Sequence, residues 1–142
     1  MKKAIIVYKD IQNLIAEETI WVKPKGDYYQ IRNIPFFAPN LALNDLIIVE
    51  KDGSLLYFDE IVKTSGHSTI QIIVLKECEK NRIIKQLELL NCQWEGLNKQ
   101  KYLAVDISPQ LDYKTIRNFL EKEASELVLD YKEACLSSFH RY

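Results

Sequence analysis

From residue 19 to residue 62, short apolar runs alternate with clusters of turn residues. This spacing is typical of β-strands in a small barrel or sandwich. The runs at 46–50 and 55–62 flank Asp52-Gly53, which predicts a hairpin with a type I′ turn because both central residues of that turn need positive φ. We therefore predict a β-rich, barrel-like unit over residues 1–66.

The pattern changes in the second half of the chain. Apolar residues recur with helical spacing in two segments, and two other segments read as strands that are apolar on both faces. The predicted elements are, in order, a strand at 69–75, a helix at 78–90, a strand at 92–95, a turn at 96–100, a strand at 102–107, a helix at 113–124 and a strand at 127–131. This order predicts an α+β protein whose residues 67–142 form a ferredoxin-like βαββαβ sandwich, with the first and third strands in the middle of its sheet.

Two helices cover one face of such a sheet, so the other face needs a cover. The side chains predicted to share that face are Gln71, Ile73, Leu75, Tyr102 and Ala104. Because no Gly/Ser/Pro-rich linker separates the halves, we expect the N-terminal unit to be this cover and the chain to be one rigid body. We also expect most large aromatic side chains, including Phe36 and Phe37, to be core.

Charge and hydropathy narrow the function classes. The 142 residues include 19 Lys and Arg and 20 Asp and Glu, with a pI near 6.1 and no basic block. This balance argues against non-specific binding to nucleic acid, which depends on clustered cations. No apolar run approaches the roughly 20 residues of a membrane-spanning helix, and the N-terminus has no signal-peptide cleavage site. We expect a cytoplasmic protein that binds neither nucleic acid nor membranes.

Cysteines and histidines give little sign of a cofactor. Cys78, Cys92 and Cys135 are an odd number without a C-x-x-C pair, and the two histidines, His67 and His140, lack a recognised metal-ligand spacing. We therefore expect reduced thiols that pack as small hydrophobic side chains, with Cys135 buried and unreactive, and neither a metal nor another cofactor.

The segment Ser65-Gly66-His67-Ser68-Thr69 carries the most chemically active residue types. It lacks the second glycine and the following helix of a G-x-S-x-G nucleophile elbow. We interpret it as a tight turn whose hydroxyl groups bond the local backbone, with His67 bridging the two halves. The catalytic alternative pairs the Cys135 thiol with His67 as its base, because such residues need only be close in space.

Several sequence blocks, taken together, resemble a known bacterial family. They are Glu18-Thr19-Ile20-Trp21-Val22-Lys23-Pro24, Asn33-Ile34-Pro35-Phe36-Phe37-Ala38, Leu43-Asn44-Asp45, the segment 65–69 and Glu133-Ala134-Cys135-Leu136. In this order they resemble the family called domain of unknown function 4265, over residues 18 to 136. The resemblance implies a bacterial origin and a shared fold, and it brings no established activity.

We expect a non-enzymatic protein-binding module, such as an immunity protein that neutralises an interbacterial toxin. Acidic residues recur near the C-terminus, and carboxylates raise the rate of association with a basic partner such as a toxin domain. The predicted contact residues are Glu123, Glu126, Asp130 and Glu133, together with His67 and Ser65. The alternatives are a small-ligand-binding or regulatory module and, third, a Cys/His hydrolase.

Overall fold

The computed structural model describes residues 1–97 and 101–142, and the predicted turn at 96–100 lies largely outside these ranges. It is an α+β structure made mostly of strands, with two α-helices. The strands are β1 (Lys2–Lys9), β2 (Ile15–Lys25), β3 (Tyr28–Ile31), β4 (Leu46–Asp52), β5 (Leu55–Lys63), β6 (Ser68–Val74), β7 (Gln93–Gly96), β8 (Tyr102–Ile107) and β9 (Leu129–Cys135). The helices are α1 (Lys80–Leu89) and α2 (Tyr113–Ser125), and short 3₁₀ turns cover Glu77–Glu79 and Ser138–His140.

The first five strands close into a ring. Neighbours β1 to β5 pair antiparallel in chain order, and β1 then meets β5 in parallel at Ile5 and Tyr57. Alternate side chains fill the interior, including Ala4 and Ile6 from β1 and Ile20 and Val22 from β2. Strand β1 was missing from the predicted elements, although its apolar run at 4–8, rich in β-branched residues, carries the signal.

The hairpin between β4 and β5 has the predicted place but a different turn. Asp52 pairs with Leu55, so the two turn residues are Gly53 and Ser54. Gly53 has φ +63°, whereas Ser54 is not among the residues with positive φ. Positive φ at the first turn position alone is the type II′ arrangement, so the predicted type I′ turn is wrong.

Strands β6 to β9 form a second, antiparallel sheet in the order β7-β8-β6-β9. The first and third strands in the chain, β6 and β8, are central, as predicted. Both helices pack on one face, where Ile70 and Ile72 of β6 join Ile83 of α1 and Ile116 of α2 in a single core. Asp112 caps α2 by accepting a hydrogen bond from the Lys114 amide at 3.1 Å, as its position before the apolar stripe predicts.

The ring covers the other face of the sheet at one end only. Ala104 is fully buried there, but Ile73, Tyr102 and Leu75 keep 37%, 38% and 47% of their surface exposed. The prediction that the N-terminal unit covers this whole face is therefore wrong. The loop 32–45, between β3 and β4, reaches across the covered end, where the Asn40 amide donates to the Ala134 carbonyl at 2.9 Å.

Candidate functional site

A polar seam joins the ring to the covered end of the sheet. We use this name for Asp45, Ser65, His67, Ser68, Thr69, Asp106 and His140. Ser65 and His67, two of the predicted contact residues, lie in it. Ser65 donates its hydroxyl to the Leu43 carbonyl at 2.7 Å and accepts the His67 amide at 3.2 Å. The second bond is the local turn contact that the sequence predicts, whereas the first reaches the loop before β4, 22 residues away.

Asp45 organises the ring side of the polar seam. Its side chain is 1% exposed and accepts the backbone amides of Ala42 at 3.0 Å and Ser65 at 2.8 Å. Burial raises the pKa of this carboxyl, and the two amide hydrogen bonds oppose the rise. The carboxylate therefore ties the loop before β4 to the turn before β6.

His67 lies in the turn before β6, and its side chain pairs with the second sheet, so its bridging of the two halves stays a prediction. Its Nδ1 lies 2.9 Å from both carboxylate oxygens of Asp106 in β8. Burial raises the pKa of Asp106, and the charge of His67 and its hydrogen bond act in the opposite direction. The Asp106 side chain is 3% exposed, so the pair is largely withdrawn from solvent.

Ser68 and His140 form a hydroxyl–imidazole pair that superficially matches a nucleophile and its base. The Ser68 Oγ lies 2.6 Å from His140 Nδ1, and His140 Nε2 lies 3.0 Å from the Ser108 carbonyl. Because that carbonyl needs a donor, Nε2 carries the proton and Nδ1 accepts from the hydroxyl. Both side chains are fully buried, and Ser68 Oγ also accepts the Ser137 amide. We therefore interpret the pair as an anchor for the C-terminal segment.

The hydrolase alternative loses its nucleophile. Burial, followed by the charge of Asp45, raises the pKa of Cys135 to about 11, so the thiol stays protonated at neutral pH. Cys135 is half-buried rather than buried, and Cys78 is exposed, which corrects the expectation that all three cysteines pack as core. Cys92 is buried as expected.

The acidic residues near the C-terminus do not form one surface. Glu123 is 4% exposed, and both its oxygens accept from Arg82 of α1, at 2.7 and 2.8 Å. The guanidinium of Arg82 lowers the pKa of this carboxyl. The interpretation of Glu123 as a solvated contact residue is therefore wrong, because it lies on the buried stripe of α2, three residues after Leu120.

Strand alternation separates the other acidic residues. Glu133 faces α2, where it accepts from the Tyr113 hydroxyl and from Arg117 at 3.0 Å. Asp130 pairs with Ile73 in the register and lines the opposite, open face. Glu126 is exposed at the end of α2. These carboxylates therefore point in different directions and do not make the single acidic contact that the sequence suggested.

An aromatic cleft lies at the uncovered end of the sheet, between the sheet and the ring. We use this name for the cavity of about 480 Å³ lined by Tyr8, Lys9, Asp10, Ile11, Phe36, Phe37, Pro39, Gln71, Ile72, Ile73, Tyr102, Leu103, Asp130, Tyr131 and Lys132. Phe37 is 42% exposed and meets the Tyr102 ring edge-on at a centroid distance of 5.6 Å. The prediction that Phe36 and Phe37 are core is therefore wrong: Phe36 is half-buried and both line the cleft.

Glu18 of β2 holds the loop that carries these rings. Its carboxylate accepts the backbone amides of Phe36 at 2.6 Å, Phe37 at 2.9 Å and Ala38 at 2.8 Å. On the far side of this loop, the Ile34 amide donates to Glu95 of β7 at 3.0 Å. The loop is therefore fixed to both the ring and the sheet, although it has no regular secondary structure.

Polar groups in the aromatic cleft are few. Gln71 lies opposite Ala104 on β8 and Lys132 on β9, and its Nε2 is buried without a hydrogen-bond partner in the described part of the chain. Sequence reasoning did not identify Gln71, Lys132 or Tyr8 as site residues. The signal that could have done so is the alternation of β6, which places Gln71 on the face that needs a cover.

Two further properties of the chain bear on the type of site. Within residues 1–97 and 101–142, no group of three His, Cys, Asp or Glu side chains is arranged to hold a metal ion. None of the helices in these ranges has the length and hydropathy needed to cross a membrane. The exposed rings around the aromatic cleft, together with the unpartnered Gln71 donor, make it the candidate functional site.

Residues 18–131 match the model of the family described as Domain of unknown function (DUF4265). The chain belongs to this family. The resemblance noted from its sequence blocks is thereby confirmed. The chain is also similar to a solved structure described as "Novel crystal structure of a hypothetical protein from Neisseria gonorrhoeae", with 34% identity and a TM-score of 0.86 over 95% of this chain and 94% of that one. The search of curated proteins found no match.

Proposed function

We propose that this member of the DUF4265 family is a non-enzymatic module that binds a small molecule in the aromatic cleft. The observation that carries the proposal is the set of exposed rings and aliphatic side chains around a cavity of about 480 Å³. Small-molecule sites typically have volumes of about 300–1,000 Å³ and are lined by apolar and aromatic groups with a few polar ones. Cavities between two structural units are a common place for them.

The polar seam supports the assignment of a non-enzymatic function, because its reactive residue types already have partners within the protein. Its histidines, hydroxyls and carboxylates are engaged with one another or with backbone groups at distances of 2.6–3.2 Å. A thiol with its pKa raised to about 11 is a poor nucleophile at neutral pH. The residue types that a hydrolase needs are therefore engaged in hydrogen bonds within each half and, between the Thr69 hydroxyl and the Leu41 carbonyl, across the two halves.

A fluorescence titration with 1-anilinonaphthalene-8-sulfonate, a dye that binds exposed apolar sites, tests the proposal on the native protein. We expect saturable binding with one dye per chain. Ile73→Ser should weaken it at least fivefold, because Ile73 lines the aromatic cleft. Leu75→Ser is the matched control, since Leu75 is similarly exposed two residues further along but lies outside the cleft. Equal effects of the two substitutions, or no saturable binding, would overturn the proposal.

We also infer that strands β6 to β9 and the two helices form a ferredoxin-like unit. Its support is the element order strand, helix, strand, strand, helix, strand, together with the sheet order β7-β8-β6-β9. Sheets of this kind have one face free of helices, and here that free face forms one wall of the aromatic cleft. The fold thus supplies the surface on which the proposed site is built.

A second candidate is the protein-binding antagonist, such as an immunity protein, with a protein partner. The acidic residues that suggested this candidate do not share one surface. The hairpin between β1 and β2, however, carries three exposed apolar side chains. Ile11, Leu14 and Ile15 are 93%, 59% and 76% exposed, respectively. Contiguous exposed apolar groups are typical of interaction sites.

This candidate is tested by affinity capture from cells of the source strain, followed by reconstitution from purified components. A captured protein that forms a stoichiometric complex with the native chain, but not with the double variant Leu14→Ser, Ile15→Ser, which lies outside the aromatic cleft, would support it. The matched control is Val62→Ser, an exposed apolar side chain on β5. A complex that survives the hairpin substitutions would exclude this surface.

A further inference from the structure

We propose that the ligand of the aromatic cleft is a planar apolar molecule with a carboxylate, whose oxygens bind at Gln71 and Lys132. This inference rests on the function proposed above and adds the chemical class of the ligand. It rests on the side-chain donors and carboxylates that line the cleft.

Three side-chain nitrogen groups in the cleft have no partner among the described residues. The Nε2 of Gln71 is buried without a partner, and no hydrogen bond or ion pair within residues 1–97 and 101–142 engages the ammonium groups of Lys9 and Lys132. A buried donor without an acceptor has lost its water and gained nothing in return. A ligand that brings an acceptor oxygen restores that bond.

The two carboxylates in the cleft each accept backbone amides through one oxygen. Asp10 accepts the amides of Gln12 at 2.9 Å and Leu14 at 3.0 Å, which fixes the turn between β1 and β2. Asp130 accepts the amide of Tyr131 at 2.9 Å, and its side chain is exposed to solvent. The buried side-chain atom without a partner in the described part of the chain is the Gln71 Nε2 donor, which favours a ligand with an acceptor oxygen, and the ammonium of the paired Lys132 favours an anionic one.

Register brings the two proposed anchors together. Gln71 of β6 and Lys132 of β9 are directly paired, and side chains of directly paired residues lie about 5 Å apart at their Cβ atoms. A carboxylate has two oxygens and can accept from an amide and an ammonium at once. One such group would therefore use both donors.

The walls of the cleft define the rest of the ligand. Ile73 lies one step beyond Gln71 on the same face of β6 and pairs with Tyr102, whose ring meets Phe37 edge-on. A flat apolar body next to the carboxylate would lie against these side chains and bury their exposed surface. Aromatic groups prefer such edge-on and offset contacts.

Isothermal titration calorimetry with three probes of equal size tests the inference on the full chain. The probes are 2-naphthoate, 2-naphthalenemethanol and 2-naphthylmethylamine, which carry an anion, a neutral hydroxyl and a cation on the same ring system. We expect 2-naphthoate to bind at least tenfold more tightly than the alcohol and the alcohol more tightly than the amine. Lys132→Met should remove most of the preference for 2-naphthoate and leave the affinity for the alcohol within about twofold.

Gln71→Leu should weaken 2-naphthoate at least threefold, and Lys76→Met, a substitution of an exposed lysine outside the cleft, should change nothing. If all three probes bind equally and depend on Ile73, the carboxylate inference is wrong while the ligand-binding function stands. Tightest binding by the amine would likewise overturn the inference and assign the cleft to a cation held by Asp130. If no probe binds and the dye also fails to saturate, the proposed function itself is wrong.

Discussion

The polar seam and the aromatic cleft lie at opposite ends of one interface, between the strand ring and the open face of the sheet. In the seam, Asp45 and His140 are buried with their hydrogen-bond partners, and His67 is partly buried against Asp106. In the cleft, Phe37 and Tyr102 are about two-fifths exposed, and Gln71 has a buried donor without a partner. The residue types that suggest catalysis therefore lie in the polar seam, where the polar groups are already hydrogen-bonded.

This difference separates residue type from residue role. A histidine next to a carboxylate or a hydroxyl suggests chemistry, but when each of its atoms is bonded and buried, it contributes to stability. A phenylalanine suggests a core, but an exposed one beside a cavity contributes to binding. Substitutions in the polar seam should accordingly change the stability of the protein, whereas substitutions in the aromatic cleft should change ligand binding.

Asp45→Ala should have the largest effect on stability. It leaves the buried amides of Ala42 and Ser65 without an acceptor, and each such loss costs about 1–3 kcal/mol. We expect urea denaturation to show a decrease of about 3 kcal/mol in the free energy of unfolding. Asp52→Ala, at an exposed strand end, should change it by less than about 0.5 kcal/mol. Similar losses for both variants would contradict the structural role of the seam.

His140→Ala should lower stability in a pH-dependent way. Removing the imidazole leaves Ser68 and the Ser108 carbonyl without their partner, at a cost of about 2 kcal/mol at pH 7. Burial, aided by the charge of His67, lowers the pKa of His140 below the ordinary 6.5.

The sign of the pH effect follows from this lowered pKa. Because the folded state disfavours the protonated imidazole, the stability it contributes is complete above pH 6.5 and is lost as the pH falls through the lower folded value. The difference between native and variant proteins in denaturation experiments should therefore shrink from pH 7.5 to pH 5. A difference that grows on acidification would show that His140 is charged in the folded state.

Glu123→Gln should have a smaller effect, because its partner Arg82 is half exposed. We expect a loss of about 1 kcal/mol at pH 7, between the values for surface and buried ion pairs. The pKa of Glu123 is lowered by Arg82, so this stability is present above the ordinary carboxyl value of 4.5 and is lost as the pH falls through the folded value. Glu126→Gln, at an exposed neighbouring site, is the control and should be neutral.

Phe37→Ala should have the smallest effect on stability, at most about 1 kcal/mol for the lost contact with Tyr102. The same substitution should reduce dye binding at least threefold, since the ring lines the aromatic cleft. Thermal unfolding and the fluorescence titration measure the two effects separately. A loss of about 3–5 kcal/mol, the range for a fully buried phenylalanine, would show that Phe37 is a core residue and contradict its place in the cleft.

Sequence patterns predicted the central part of the sheet well. The runs that became β6 and β8 are apolar on both faces because one face packs on the helices and the other is partly covered by the ring. The stripe Ile116, Leu120 of α2 has the helical period, and Asp112 caps that helix where expected. These features depend on neighbours within a few residues, so a single sequence carries them.

The other features could not be predicted because they depend on contacts between residues that are far apart in the sequence. Glu123 lies on the apolar stripe of α2, so the helical period alone indicates that it is buried. Its partner could not be predicted, because Arg82 lies 41 residues away on another helix. Trp21 is exposed because Ile20 and Val22 fill the interior of the ring, and its face is covered by the Lys3 ammonium, 5.0 Å from the ring centroid. The extent to which the ring covers the sheet depends on the whole fold, so the aromatic cleft could not be located.

Glu18 fixes the loop of the aromatic cleft through backbone amides, whereas the side chains of the same loop line the cleft. Three main-chain amides, at residues 36–38, fix its path, so the side chains at 36 and 37 are free to differ. A protein built this way can exchange the rings that line its cleft without refolding the loop. Substitutions at these two positions therefore offer a route to redesigned ligand selectivity, whereas substitution of Glu18 would loosen the cleft without touching its lining.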